Sequence, residues 1–162
     1  MKQFEPAVIA LGDALRAQGL KLATAESCTG GLLAGAITDV AGSSGWFDRG
    51  FVTYSNEAKT ELLGVDAALI TTHGAVSEEV ARAMAEGALE HSRAQLAVAV
   101  TGVAGPGGAT PGKPVGTVWL AVAQRGGAVH SELLTLGGDR AAVRQQTVQH
   151  ALARLLAAVP RA

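Results

Sequence analysis

The 162-residue chain has one cysteine, few aromatic residues and no excess of charge of either sign. A single cysteine excludes an internal disulfide and a cysteine-rich metal site. Thirteen Lys and Arg residues against fourteen Asp and Glu residues leave a net charge of -1, whereas a protein that binds a nucleic-acid backbone is normally more basic. We therefore expect no nucleic-acid partner, no bound metal and a reducing, cytoplasmic setting.

Long hydrophobic runs are also absent. The longest stretch without a charged residue, residues 94–112, contains Gly, Pro, Thr and Gln, so it does not suit a membrane span. Residues 1–6 lack the apolar stretch of a signal peptide. These features predict a protein with no membrane partner.

Small apolar residues are abundant instead. Apolar residues make up 48% of the chain and glycine occupies 21 positions, which is typical of a packed core with close backbone approaches. Helical apolar spacing near residues 4–15 alternates with strand-like segments such as the apolar run 96–101, which suits a strand covered on both faces. We predict one domain over residues 1–162, a three-layer α/β/α fold with a mixed, mostly parallel sheet.

The order of predicted elements places three polar turns at strand ends. The predicted strands cover residues 20–25, 51–54, 96–101, 115–123 and 129–136, and helices are predicted near residues 4–15, 32–40, 56–63, 78–93 and from 139 onward. Ligands in such folds bind at the carboxyl ends of strands. The turns after Ala25, Tyr54 and Thr101 are therefore the predicted site.

The first turn has the sequence AESCTGG and offers a nucleophile beside free amides. The hydroxyl of Ser27 is accessible at a strand-to-helix turn, and backbone N–H groups after it can hold a developing oxyanion. The residues that would supply those groups are Cys28, Thr29, Gly30 and Gly31. Two alternatives stay open: Ser27 or Thr29 only caps the helix, or Cys28 is itself the nucleophile rather than a small buried residue.

A serine nucleophile needs a base, and the histidines do not supply one. None of the four lies in a Gly-rich turn, and only His73 is placed to line a cleft. Lys59, one turn into the helix after Tyr54, is the candidate because burial beside apolar groups favours the neutral amine. Tyr54 would then relay or orient the proton. The alternative is a solvated surface lysine.

Two further segments suit a nucleotide. The Gly-rich stretch after Thr101 and Gly102 can wrap a phosphate or ribose through its N–H groups, although a Gly-rich hairpin connection explains it equally well. Arg140 follows Asp139 at the start of the last helix and offers a fork of donors to a phosphate. The alternative is a surface arginine beside an Asp139 N-cap.

Six segments together resemble the CinA C-terminal domain family, in order and over essentially the whole chain. They are residues 25–31, 50–59, 73–77, 101–106, 113–118 and 138–140. The resemblance implies a three-layer α/β fold, a homo-oligomer and hydrolysis of nicotinamide mononucleotide to nicotinate mononucleotide and ammonia. We expect this reaction to need no cofactor. Larger relatives carry an extra N-terminal domain linked to ADP-ribose pyrophosphatase activity, for which we expect this chain to have no room.

The resemblance also implies roles for individual residues. Ser27 would be the nucleophile, Lys59 the base and Tyr54 its helper. The residues expected to bind the substrate are Asn56, Thr101, Gly102 and Arg140. The competing hypothesis is a non-catalytic module that binds a nucleotide or another protein, as the family's link to competence and DNA damage allows.

Overall fold

The computed structural model describes residues 1–161, and Ala162, the last residue of the predicted domain, lies outside the described residues. No helix within residues 1–161 combines the length and hydropathy needed to cross a bilayer. Besides two short 3-10 turns, the elements are α1 (Glu5–Ala17), β1 (Leu22–Glu26), α2 (Leu32–Thr38), β2 (Phe47–Val52), α3 (Asn56–Leu63), α4 (Ala67–His73), α5 (Glu78–Glu90), β3 (Leu96–Gly102), β4 (Thr117–Gln124), β5 (Val129–Thr135) and α6 (Arg140–Ala158).

The five strands form one mixed sheet with the order β2-β1-β3-β4-β5. β1 pairs in parallel with both β2 and β3, whereas β4 and β5 add to β3 as an antiparallel pair. In this register Glu26, the last residue of β1, lies beside Val52 of β2 and Val100 of β3. The segments that follow the three parallel strands therefore emerge at the same edge of the sheet.

Helices cover both faces of the sheet, and β3 shows how the sequence separates them. Its side chains alternate, so that Leu96, Val98 and Val100 face the core beneath α1, α2 and α6. Ala97 and Ala99 face α5, together with alanines of β1 and β4. Because alanine is short, α5 can approach the sheet closely. The structure thus confirms the predicted three-layer α/β/α architecture with a mixed sheet.

One predicted strand was misplaced and one helix was missed. β2 covers Phe47–Val52 rather than residues 51–54. The pattern did not reveal its first half because this half carries the polar residues Asp48 and Arg49 at a half-exposed sheet edge and has no apolar run. Tyr54 therefore lies in the connection after the strand. Helix α4 was missed, although Asp66 caps it by accepting a hydrogen bond from the Ala68 amide at 2.9 Å.

A glycine in α5 allows this helix to pack against the end of α3. A Cβ atom on Gly87 would overlap the carbonyl oxygen of Leu63, a backbone atom that cannot move aside alone. Gly87 has an ordinary helical backbone, so only space excludes a larger residue there. The close approach sets the position of α3, the helix that carries Lys59.

The substitution Gly87→Ala is expected to destabilise the fold by about 2 kcal/mol, because the steric cost of overpacking exceeds the higher helix propensity of alanine. Urea unfolding followed by circular dichroism measures the change. Gly35→Ala in α2 is the matched control, since its Cβ would meet only the flexible tip of Met1 at 3.0 Å. Equal stability of the two variants would contradict a space requirement at Gly87.

Candidate active site

The three predicted turns meet at one edge of the sheet and enclose a cavity of about 300 Å³. The segments that follow β1 and β2 and the end of β3 reach it because the carboxyl ends of these parallel strands are in register. The predicted site residues that line it are Ser27, Cys28, Tyr54, Asn56, Lys59, Thr101, Gly102 and Arg140. Thr29, Gly30 and Gly31 belong to the same turn but do not line the cavity.

Lys59 points inward and meets the serine. Its side chain is 1% exposed, and Nζ lies 3.1 Å from Oγ of Ser27. Backbone carbonyls surround the same nitrogen, with Thr53 O at 3.1 Å and Tyr54 O at 3.3 Å. Ser55 caps α3 by accepting from the Ala58 amide, which fixes the start of the helix one turn before Lys59. The surface-lysine alternative is therefore wrong.

The environment of Lys59 favours the neutral amine. Burial lowers its pKa below the ordinary value because few water molecules can solvate an ammonium there, while Cys28 and Glu57 act in the opposite direction. In the neutral form, two N–H groups can donate to the carbonyls of Thr53 and Tyr54, which leaves the lone pair for the Ser27 hydroxyl. This arrangement can remove a proton from the serine.

The turn after β1 is held by a buried carboxyl group rather than by a serine or threonine cap. Glu26 is 1% exposed, and its oxygens accept from the Thr29 hydroxyl at 2.6 Å and from the amides of Leu33 and Ala34. Gly31 is the N-cap of α2 and has no side-chain cap. The alternative that Ser27 or Thr29 merely caps the helix is wrong, and Ser27 Oγ is left for Lys59.

The amides of the turn fall into two groups. Gly30 donates to the carbonyl of Ser27 at 3.1 Å, so this predicted oxyanion donor is engaged within the turn. Within residues 1–161, the amides of Cys28, Thr29 and Gly31 donate to no backbone carbonyl, and the Cys28 amide faces its own thiol. Of these three residues Cys28 lines the cavity.

Cys28 has the environment of an inert buried thiol. Desolvation raises its pKa to about 12, so the thiolate is scarce near neutral pH. Within residues 1–161, its side chain has no hydrogen-bond partner that would act as a base. The geometry favours Ser27 over Cys28 as the nucleophile.

Tyr54 contacts Lys59 through its backbone and Arg140 through its hydroxyl. Its side chain is 61% exposed, and Arg140 Nη2 donates to the phenolic oxygen at 3.2 Å. Arg140 Nη1 donates to Gly105 O at 2.9 Å, while Asp139 caps α6 through the Ala142 amide. The two interpretations of this helix start are therefore compatible: Asp139 is the cap and Arg140 lines the cavity.

The structure also shows residues that the sequence did not suggest. Arg144, one helical turn after Arg140, donates to the carbonyls of Cys28 at 3.2 Å and Thr29 at 3.0 Å. The spacing of four residues between Arg140 and Arg144, which places both on one face of the helix, could have indicated this role.

His73 lies outside the cavity and faces Glu79, while Ala75 and Val76 of the same segment line the cavity. No three His, Cys, Asp or Glu residues in the described chain are grouped as metal ligands.

Comparison with known proteins agrees with the resemblance found in the sequence. Residues 5–159 match the sequence profile of the CinA C-terminal domain. The chain belongs to this family. A solved relative, the competence/damage inducible protein CihA from Agrobacterium tumefaciens, superposes with a TM-score of 0.93 at 50% identity, over 95% of this chain and 94% of that one.

Relatives of this CinA C-terminal domain differ in length. The nicotinamide-nucleotide amidohydrolase PncC of Escherichia coli K12 is 53% identical over 145 residues, which cover 90% of this chain and 88% of that protein. A CinA-like protein of Akkermansia muciniphila is 60% identical over 142 residues, 88% of this chain, but the match spans 34% of that protein. The chain thus corresponds to nearly all of the first relative and to about a third of the second.

Proposed function

We propose that this CinA C-terminal domain hydrolyses the carboxamide of nicotinamide mononucleotide to give nicotinate mononucleotide and ammonia. The observation that carries the proposal is the 3.1 Å contact between Lys59 Nζ and Ser27 Oγ inside a cavity. The name of the Escherichia coli relative, which matches over most of both chains, supports the substrate class.

In the first step, Ser27 attacks the carboxamide carbon. Neutral Lys59 removes the hydroxyl proton as the O–C bond forms, because a serine hydroxyl is a weak nucleophile until a base accepts its proton. The carbonyl π electrons move to oxygen and produce a tetrahedral oxyanion. The backbone amide after Ser27 stabilises this charge, with the N–H group of Cys28, which lines the cavity, as the donor.

In the second step, the tetrahedral intermediate collapses. The C–N bond breaks, Lys59 returns its proton to the departing nitrogen, and ammonia leaves a nicotinoyl ester on Ser27. Water then attacks the ester with Lys59 again as the base, which releases the carboxylic acid and restores the serine. Tyr54 assists through its carbonyl, which accepts a hydrogen bond from the lysine, and its hydroxyl positions Arg140.

Arg140 is placed to bind the phosphate of the substrate. It lies at the N-terminus of the 19-residue helix α6, where the partial positive charge of the helix end adds to the guanidinium. Asn56, Thr101 and Gly102 line the same cavity and offer polar groups to the ribose or the ring. A cavity of about 300 Å³ falls at the lower end of the usual size for small-molecule sites.

The proposal includes three properties that rest on the family resemblance and the sequence. They are a single catalytic domain over residues 1–162, assembly as a homo-oligomer and a cytoplasmic location. None of them is needed for the chemistry that Ser27 and Lys59 carry out.

Replacing either member of the serine–lysine pair is expected to abolish turnover. Ser27→Ala removes the nucleophile and Lys59→Met removes the base, so each should lower kcat by at least about 10³-fold. Ammonia release from nicotinamide mononucleotide, measured with purified protein, reports the loss.

The neighbouring variant Cys28→Ala is the matched control. It changes the residue next to the nucleophile but removes only a buried thiol, so activity should stay close to that of the wild type. Full activity in Ser27→Ala would contradict the mechanism. Substrate binding without any ammonia release by the wild type would favour the non-catalytic module.

Arg140→Met is expected to raise KM for nicotinamide mononucleotide about 10-fold or more, because a charge-assisted contact to the phosphate is lost. The same variant should leave activity on the riboside, which lacks the phosphate, nearly unchanged. Arg154→Met serves as the control and should leave both activities unchanged, since Arg154 lies on the same helix but pairs with Glu132 away from the cavity. An equal loss on both substrates would show that Arg140 does not bind the phosphate.

A further inference from the structure

Arg144 is the cation that contacts the backbone of the nucleophile turn. It lies in α6, and its planar guanidinium spans two consecutive carbonyl oxygens: Nε donates to Cys28 O at 3.2 Å and Nη2 donates to Thr29 O at 3.0 Å. Both contacts join residues more than 110 positions apart in the chain. A bidentate contact of this kind restrains the orientation of two successive peptide groups, which a single-point donor cannot do.

The contact between Arg144 Nε and Cys28 O determines the direction of the Thr29 amide. In a trans peptide group the C=O and N–H bonds lie in one plane and point in opposite directions. The carbonyl of Cys28 and the amide of Thr29 belong to the same group. By holding Cys28 O toward α6, Arg144 makes the Thr29 N–H point away from α6, and this amide has no protein acceptor within residues 1–161.

The contact between Arg144 Nη2 and Thr29 O restrains the Cys28 amide through one intermediate hydrogen bond. The carbonyl of Thr29 shares its peptide group with the Gly30 amide, which donates to Ser27 O at 3.1 Å. The carbonyl of Ser27 in turn shares its group with the Cys28 amide. One guanidinium therefore restrains the amides of Cys28 and Thr29, the first two after the nucleophile.

The charge of Arg144 strengthens, as hydrogen-bond donors, the same amides that its contacts orient. A cation that hydrogen bonds to a carbonyl polarises the peptide group and makes the N–H at its other end a stronger donor, and such effects reinforce along a hydrogen-bonded series. Glu26 holds the opposite side of the turn through Thr29 Oγ1. The turn is thus restrained from both sides, and the polarising charge lies on the side of the carbonyls.

We propose that Arg144 is a positioning residue that fixes the turn after Ser27 and so aligns and polarises the Cys28 amide for the oxyanion formed after attack by Ser27. The proposal rests on the amidase function above. Arg144 acts through the backbone and is not required to contact the substrate, which separates its role from that of Arg140.

The test compares Arg144→Lys and Arg144→Met with the wild type. Loss of a single oxyanion donor lowers kcat by about 10²–10³-fold. Arg144→Met leaves the donor in place but misaligned, so kcat should fall by about 10²-fold. KM should stay within about twofold of the wild-type value because only transition-state contacts change. Arg144→Lys keeps the charge but not the fork and should lose about 10-fold. The pH at which kcat/KM is half-maximal should not move, since Lys59 is untouched.

Arg154→Lys and Arg154→Met are the matched controls. Arg154 lies on the same helix and pairs with Glu132 away from the cavity, so the same changes there should leave kcat within about twofold, as for other surface pairs. Unchanged kcat in Arg144→Met would overturn the proposal. A rise in KM at constant kcat would also overturn it, because it would make Arg144 a ground-state contact to the substrate.

A second measurement separates this inference from the proposed substrate. A fluorophosphonate probe reacts with an activated serine: the Ser27 O–P bond forms, the P–F bond breaks, fluoride leaves, and Lys59 takes the hydroxyl proton. Mass spectrometry of the Ser27 peptide gives the rate. Slower labelling in Arg144→Met than in Arg154→Met supports the positioning role even if the wild type releases no ammonia from nicotinamide mononucleotide. Equal labelling rates would overturn it.

Discussion

The burial of Lys59 beside Ser27 is the interaction on which the proposed chemistry of this protein depends. A lysine in water is charged and cannot accept a proton at neutral pH. Here the side chain is almost fully buried, desolvation lowers its pKa, and its nitrogen lies 3.1 Å from the serine oxygen. The carbonyls of Thr53 and Tyr54 stabilise the proton once the lysine has received it, so the same group can serve as base and then as acid.

The fold supplies this contact through the register of three parallel strands. Ser27 follows β1, and the chain that leaves β2 turns at once into α3, so Lys59 is carried over the end of β1. Alanines on one face of the sheet and Gly87 in α5 let the covering helices approach closely. On the other face, α6 brings Arg140 to the cavity and Arg144 to the nucleophile turn. Each layer therefore contributes one part of the site.

The helix that carries the base could be predicted from the sequence, but the direction of its side chains could not. Residues 56–63 were predicted as a helix and form α3 with the same bounds. Whether Lys59 points to solvent or to Ser27 depends on how α3 packs against α5 and β1, which are long-range contacts that local patterns do not encode. The same reason explains the misplaced start of β2, a polar edge strand that only pairing with β1 reveals.

The supporting residues were the least accessible to sequence reasoning. Glu26 was visible only as part of the AESCTGG segment, and its role as the buried acceptor for the α2 amides follows from three-dimensional contacts. Tyr54 was predicted to relay or orient the proton. In the structure its hydroxyl accepts a hydrogen bond from Arg140, whereas its carbonyl accepts one from Lys59. Side-chain chemistry suggested residues that the fold brings to one cavity, whereas the separate contacts of backbone and side chain depend on the three-dimensional packing.

The most direct test of the account is an NMR titration of the Lys59 side chain in protein labelled with ¹³C at lysine Cε, with Lys59→Arg used to assign the signal. We predict that this signal titrates well below the ordinary lysine pKa of 10.5. A midpoint for Lys59 at or above 10.5 would show that burial does not shift the amine toward its neutral form. That result would contradict its role as the base that activates Ser27.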